Sequence, residues 1–274
     1  MFDNELENKW RNVTIKNNFL FSKTFELFPD LCLQLLQFIL NLKINKIEYP
    51  EREKVIEERT DSKGIRLDVY VTDDQNRSFD VEMQVVDNDN IAKRMRYYQG
   101  LIDLDKLKHG QHYSALGDSY IIFICPFDKF KQGRHLYSFR DRCDQDFNLT
   151  LHDGSTKIFL STKGSANDVN NDILNFLNYV DNGIINGNFV KQLDNAVHAV
   201  KSNHKARLEY MTYQMALLES KLDGLAEGRN EGREEERISI ALNMLKDGLP
   251  FDQIQKFTKL TLDKIKELAK KNID

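Results

Sequence analysis

An α/β fold, with a mixed sheet flanked by helices and then a helical C-terminal region, is what this 274-residue sequence predicts. Three observations carry it. The stretch IRLDVYVTDDQNRSFDVEMQV, residues 65–85, alternates apolar and polar residues on either side of a turn, as a β-hairpin does. The run YIIFICP, residues 120–126, is continuously apolar and suits a strand covered on both faces. From about residue 195 onward the pattern is almost entirely helical.

Taken in chain order, the N-terminal MFDNELENKWRN is polar and acidic and reads as no secretory signal. Asp30 is the expected cap of a helix in which Leu31, Cys32, Leu35, Leu36, Ile39 and Leu40 recur at helical spacing. The apolar run from Leu31 to Leu42 contains Gln34, Gln37 and Asn41 and is too short to span a bilayer, so no membrane partner is expected. A short strand is expected near Lys54 to Arg59. In the hairpin, one arm runs from Ile65 to Thr72 and the other from Ser78 to Val85. A turn centred on Gln75 sets Thr72 opposite Ser78 and Asp68 opposite Glu82, with Cβ atoms about 5 Å apart. Asn90 to Lys108 reads as a helix, Lys157 to Ser161 as a strand and Ile173 to Val180 as a helix.

In the C-terminal part, Ala206 to Leu222 is amphipathic. DGLAEGRNEGREEER, residues 223–237, reads as a solvated connector, an exposed helix, or a face along which Gly224, Gly228 and Gly232 let two chains approach. Helices follow at Ile238 to Lys246, stopped by Gly248, and near Phe251 to Phe257 and Leu262 to Lys270, with Thr261 as an N-cap. Their small core is expected from Ile238, Leu242, Leu245, Ile254, Phe257, Leu260, Ile265 and Leu268, and a core this small favours assembly. The outline is that of a helix-turn-helix, a shape shared with protein–protein modules, and Arg237 is the last arginine of the chain. The expected division is a mixed α/β domain over 1–190, a charged, helical, glycine-containing connector over 191–237 and a small, helix-turn-helix-like helical region over 238–274.

Composition narrows the class. A formal net charge of −4 excludes a chain coated in basic surface, so nucleic-acid contact requires a local patch. Three widely spaced cysteines, Cys32, Cys125 and Cys143, suit a reducing, cytoplasmic setting and neither a disulfide framework nor a zinc site.

The candidate site lies on the hairpin. Asp68, then Glu82 and Gln84 two residues apart on one strand face, form the pattern D, turn, E-x-Q. Two opposed carboxylates repel, and a shared hard cation such as magnesium relieves that repulsion. Acidic ligands holding such an ion are the layout of a metal-dependent nuclease. A solvated hairpin face with two incidental acids is the alternative, and spacing alone leaves both open. Glu57 and Glu58 are further candidate ligands. After the hairpin, Lys93, Arg94, Arg96, Tyr97, Tyr98 and Gln99 bring phosphate-holding and base-stacking groups together, with Tyr98 equally suited to the core. His109 and His112 flank Gly110 and make a poor metal pair. No Gly-rich phosphate loop, nucleophile elbow or metalloprotease motif occurs.

KNNFLFSKTF (residues 16–25), IEYPEREKVIEERTDSKGIRLDVYVTDDQ, DVEMQ, KRMRYYQGLIDL and YIIFICPFDKF with the later GRHLYSF together resemble the Rpn recombination-promoting nucleases, also called PD-(D/E)XK nuclease family transposases. The resemblance covers roughly residues 13 to 185 and extends to the charged EGR tail. It implies a restriction-endonuclease-like core and a DNA endonuclease dependent on magnesium or another divalent cation such as manganese. It implies Asp68 and Glu82 as metal ligands and Gln84 where the wider superfamily has lysine. Relatives often carry an aspartate where Asn17 and Asn18 stand. An asparagine carbonyl can ligate a metal but adds no charge. The competing reading is a catalytically weak module that binds DNA or protein. DNA is the expected partner, together with a second copy of the chain through the C-terminal helices.

Arg94 and Arg96 are two apart on the predicted helix and splay by about 200°, whereas Lys93 and Arg96, three apart, share a side. Lys93, Arg96 and Tyr97 are therefore the expected nucleic-acid contacts. Replacing Lys93 and Arg96 together by glutamine should weaken DNA binding and flatten its salt dependence by roughly one unit of log–log slope for each phosphate no longer neutralised. A binding curve measured from low to high salt checks this, and an unchanged slope assigns that side to folding.

Overall fold

The computed structural model describes residues 2–49, 55–56 and 65–271. The chain opens with helices α1 (Phe2–Asn12), α2 (Asn18–Leu27) and α3 (Pro29–Leu40). Strands β1 (Ile47–Glu48), β2 (Val55–Ile56), β3 (Ile65–Arg66), β4 (Val69–Asp73) and β5 (Ser78–Met83) follow. Next come α4 (Ile91–Lys106), β6 (Ser119–Cys125), β7 (Leu136–Phe139) and β8 (Ser155–Ser161). Helices α5 (Asn171–Asn182), α6 (Asn188–Ser202), α7 (His204–Lys246), α8 (Phe251–Thr258) and α9 (Leu262–Lys271) complete it. The chain divides into two compact units, Met1–Tyr210 and Met211–Asp274.

Among the described residues the main sheet has six strands in the order β1-β4-β5-β6-β8-β7. β5, β6 and β8 run parallel, and β1, β4 and β7 are antiparallel to their neighbours. This is a mixed sheet flanked by helices, the architecture the sequence predicts and that of a PD-(D/E)XK-type core. Strand β6 is buried at every position, as the YIIFICP run predicts. Its alternate residues Ile121, Phe123 and Cys125 join Tyr70, Phe159 and the α4 residues Ile91, Met95, Tyr98 and Ile102 in one cluster. The intervening Ile122 and Ile124 are also fully buried, so the strand is covered on its other face too. There α2, α3, α5 and α6 pack on one another, and α2 reaches β4 and β5.

Local chemistry sets the helix ends. Asn17 caps α2 by accepting from the Leu20 N–H, and Asn170 caps α5 by accepting from Ile173. Gly183 at φ 72° ends α5 in the left-handed conformation that favours glycine. Asp30 is not the cap of α3. Pro29 takes the first helical turn after Phe28, and Asp30 lies inside that turn, where its charge still meets the positive helix end.

One further expectation changes. The first hairpin arm is not one continuous strand. Ile65–Arg66 pairs with Val55–Ile56 in a separate two-stranded sheet, and β4 begins only at Val69. Of the readings open for 223–237, the structure shows a helix: the stretch is part of α7, which runs for 43 residues. Its glycines stand open: a Cβ at Gly224, Gly228 or Gly232 would meet nothing within 4 Å.

In the second unit, Ala241, Ile254, Leu260, Ile265 and Leu268 form the core, with Ile238, Leu242 and Leu245 against it. Phe257 is left out, at 65% exposure, because Ile254 and Thr258 set the inward side of α8. Thr261 caps α9 as expected, accepting from the Lys264 N–H at 3.3 Å. No described helix is long and apolar enough to cross a membrane.

Burial pushes the thiols of Cys32 and Cys125 up to about 12, while Cys143 is only half-buried. A thiolate is the reactive form. Ellman's reagent at pH 8 should therefore titrate one thiol in the native protein and all three in denaturant. Rapid reaction of two or more native thiols contradicts this packing.

Candidate active site

The β4–β5 register builds the site. Val69 pairs with Val81 and Thr72 with Ser78, so residue 68, one step before β4, stands opposite residue 82. Along β5, Asp80, Glu82 and Gln84 share one face by the period of two. Phe79, Val81 and Met83 point to the other, where all are buried.

Asp68 sits at a bend where the ladder stops. Its main-chain N–H donates to Glu82 Oε1 at 2.8 Å, and its Oδ2 accepts the Met83 N–H at 3.0 Å. A side-chain oxygen thus takes the place of a ladder carbonyl, which is why the strand breaks here. Each acid is tied to the other's strand. From the start of α2, Asn18 Nδ2 donates to Asp68 Oδ2 at 2.9 Å and to Oδ1 at 3.2 Å.

Asp80 completes the acidic group. It is fully buried, and neither of its carboxyl oxygens has a hydrogen-bond partner among the described residues. Burial, then the Asp68 charge, push its pKa well above the ordinary carboxylate value, against the nearby Glu82 and Arg94. Glu82 is pushed up in the same way by burial and by the charges of Asp80 and Asp68.

A cation faces these acids. Arg94 on α4 donates through Nη1 to Gln84 Oε1 at 2.5 Å and through Nη2 to the Tyr98 hydroxyl at 2.9 Å. Its Nη2 lies 3.6 Å from Glu82 Oε2. The guanidinium rests over the rings of Tyr98 and Phe123, 5.3 and 5.4 Å from their centroids. The Gln84 amide is held in turn by the Val86 carbonyl. Tyr98 is pushed up to about 12, mainly by burial and then by Glu82.

The structure therefore brings Asp68, Glu82 and Gln84 together. Lys93, Arg96 and Tyr97 lie on the outer side of α4, whereas Arg94 and Tyr98 face the acids, as a 200° splay between Arg94 and Arg96 requires. Glu57 and Glu58 lie outside the described residues. The sequence pattern does not single out Asp80, and it groups Arg94 with the phosphate-holding residues after the hairpin while pointing to Lys93 and Arg96 as the contacts. Their signals are positional: Asp80 is two before Glu82, and Arg94 is four before Tyr98.

The donor set fits a hard divalent cation in chemistry. Carboxylate oxygens crowd one buried face, and two of them lack any donor among the described residues. As they stand, Asp68 and Glu82 are engaged by N–H groups and by Arg94. Among the described residues no three His, Cys, Asp and Glu side chains are grouped as a metal site.

A family model described as "PD-(D/E)XK nuclease family transposase" matches residues 16–177, more than half of the chain. A second, described as "Rpn/YhgA-like nuclease family, C-terminal HTH domain", matches residues 234–270. No curated protein and no solved structure matches the chain.

Because Asp80 holds its proton more tightly folded than unfolded, its contribution to native stability is fully present at low pH. That contribution is lost as pH rises from about 4, the unfolded value, through the raised folded value. In metal-free protein, Asp80→Asn should make this decline shallower, because an amide has no proton to give up over this range. Urea melts across pH 5 to 9 check it. A variant with the parent's slope and lower stability throughout refutes the assignment.

Proposed function

Since the chain belongs to the PD-(D/E)XK nuclease family transposases, we propose that it is a DNA endonuclease that depends on magnesium or a similar divalent cation and hydrolyses phosphodiester bonds. The observation that carries this is the acidic group of Asp68, Glu82 and Asp80, pressed together on one buried sheet face with oxygens left unmatched. Asp68 and Glu82 would hold the ion. Bound there, it would supply an activated water and offset charge on the scissile phosphate. The protein's own part is positioning. Main-chain N–H groups fix the Asp68 and Glu82 carboxylates, and Gln84 and Arg94 present polar and cationic groups beside them. Lys93, Arg96 and Tyr97, on the outer side of α4, are the proposed phosphate and base contacts.

In domain terms we assign residues 1–190 to the nuclease-like part, 191–237 to a connector and 238–274 to the helical C-terminal region. The helix-turn-helix match supports DNA contact by that last part. A cytoplasmic setting accords with three cysteines that form no disulfide.

A second reading has one specific observation behind it. Asn18 spends its amide on both oxygens of Asp68 where relatives often carry an acid, and this arrangement suits a weak or inactive enzyme that binds DNA. Incubating plasmid with protein and magnesium separates the two readings. The enzyme nicks or linearises it and stops with chelator, whereas the binding module retards it uncut.

Asp68→Ala should lower cleavage by about 100-fold or more while the protein stays folded, because it removes a ligand and a repulsion together. Plasmid nicking and circular dichroism check this, and parent-like cutting rejects Asp68 as catalytic.

Self-association is the second expected outcome. Met215, Leu217, Leu218, Leu222 and Leu225 on α7 are all at least 39% exposed, a run of apolar side chains that a second copy would cover. Light scattering at micromolar concentration should find the full chain larger than a monomer and the Leu222→Glu, Leu225→Glu variant monomeric. A monomeric parent rules the assembly out.

A further inference from the structure

The E-x-Q strand lacks a cation, since Gln84 is neutral at every pH. A neutral amide beside the reacting phosphate leaves the charge that builds there without a partner from β5. The structure holds a cation within reach of the same spot, on another element. We infer that Arg94 on α4 is the catalytic cation of this site, contacting the scissile phosphate, and that Gln84 is a positioning residue that acts through it. The inference rests on the nuclease reading above and gives Arg94, which that reading places only beside the acids, a contact with the substrate.

Four observations carry it. First, the guanidinium is at the acids and not merely near them: Nη2 is 3.6 Å from Glu82 Oε2, and Nη1 is 2.5 Å from Gln84 Oε1. Second, it is oriented from several sides. The Tyr98 hydroxyl accepts from Nη2, and the Tyr98 and Phe123 rings lie beneath it. A preorganised donor of this kind needs no rearrangement when charge develops. Third, Gln84 has both ends of its amide committed. Its Nε2 donates to the Val86 carbonyl, which aims Oε1 at Arg94. A side chain spent on holding another is placed to orient it. Fourth, the Arg94 side chain is 35% exposed while that of Glu82 is 4%, so the arginine, unlike the acid, is open to solvent. Arginine suits this task because its fork presents donors to Gln84, Tyr98 and a phosphate at once.

The arrangement also explains how Glu82 stays available. A single arginine at 3.6 Å offsets part of the repulsion among the acids without binding Glu82 bidentately. At Glu82 an incoming cation therefore competes with this one long ion pair and with the Asp68 N–H on Oε1.

The test compares the parent with R94Q, R94K and the exchange variant R94Q/Q84K, which moves the cation from α4 to β5. Two quantities are measured: the single-turnover rate of supercoiled-plasmid cleavage with magnesium, and the affinity for manganese alone by electron paramagnetic resonance. R94Q should cleave about 10²–10³-fold more slowly, the usual loss when one donor to developing charge is removed. Its manganese affinity should hold or rise, because a like charge beside Glu82 has gone. R94K should retain more activity than R94Q, and the exchange variant should recover at least tenfold over R94Q. If R94Q does not fold, the exchange variant decides: cleavage supports the inference, and a folded but inactive exchange variant overturns it. Parent-like cleavage by R94Q also overturns it, as does a fall in manganese affinity that matches the fall in rate, which would make Arg94 a support of the carboxylates. A parent that cleaves nothing sinks the nuclease reading and this inference with it. A parent that cleaves beside an equally active R94Q sinks the inference alone.

Discussion

The exchange of hydrogen bonds between Asp68 and β5 is the constraint on which the rest of the site depends. The Asp68 N–H holds the Glu82 carboxylate, and the Asp68 carboxylate holds the Met83 N–H. Two acids that repel are thereby locked at adjacent positions, each by the other's main chain. The ladder is broken to achieve this, and β3 is released to pair with β2. Asn18, Arg94 and the unmatched Asp80 all follow from that lock, as ways of partly offsetting, or adding to, negative charge gathered in one place.

A concentration of buried charge needs a rigid support, and the parallel core provides it. β5 is hydrogen-bonded on both sides, to β4 and to β6, and Glu82 lies in register with Phe123. Phe123 in turn carries the guanidinium of Arg94 on its ring. The aromatic layer of Tyr98, Phe123 and Phe159 thus does two jobs: it fills the space under α4 and sets the height of the cation facing the acids. Opposed acids cost stability and a charged pocket costs desolvation, so a fold that keeps both trades stability for chemistry.

Much of this was legible in the sequence because it is local. Strict alternation and the DDQNR turn set the β4–β5 register, and with it the opposition of Asp68 and Glu82. The unbroken apolar run marked β6. Other features were not legible because their causes are distant in the chain. The break at Asp68 depends on a main-chain donor fifteen residues away at Met83. Asp80 looked like any outward polar residue of an alternating strand until α4 buried it. β7 is short, and its Leu136–Phe139 side chains are only partly buried, so no period of two stands out. Across 223–237 the three glycines left connector and exposed helix both open; the charged residues around them tolerate solvent on all sides, and α7 runs through.

The central claim is that Asp68 and Glu82 form a divalent-cation site rather than a salt-bridged structural patch. Anomalous diffraction from crystals soaked in manganese tests it most directly. The account predicts a peak within about 2.5 Å of oxygens from both Asp68 and Glu82, the range of metal–carboxylate bonds. An anomalous map with no peak at these carboxylates, at a manganese concentration that supports cleavage, would contradict it.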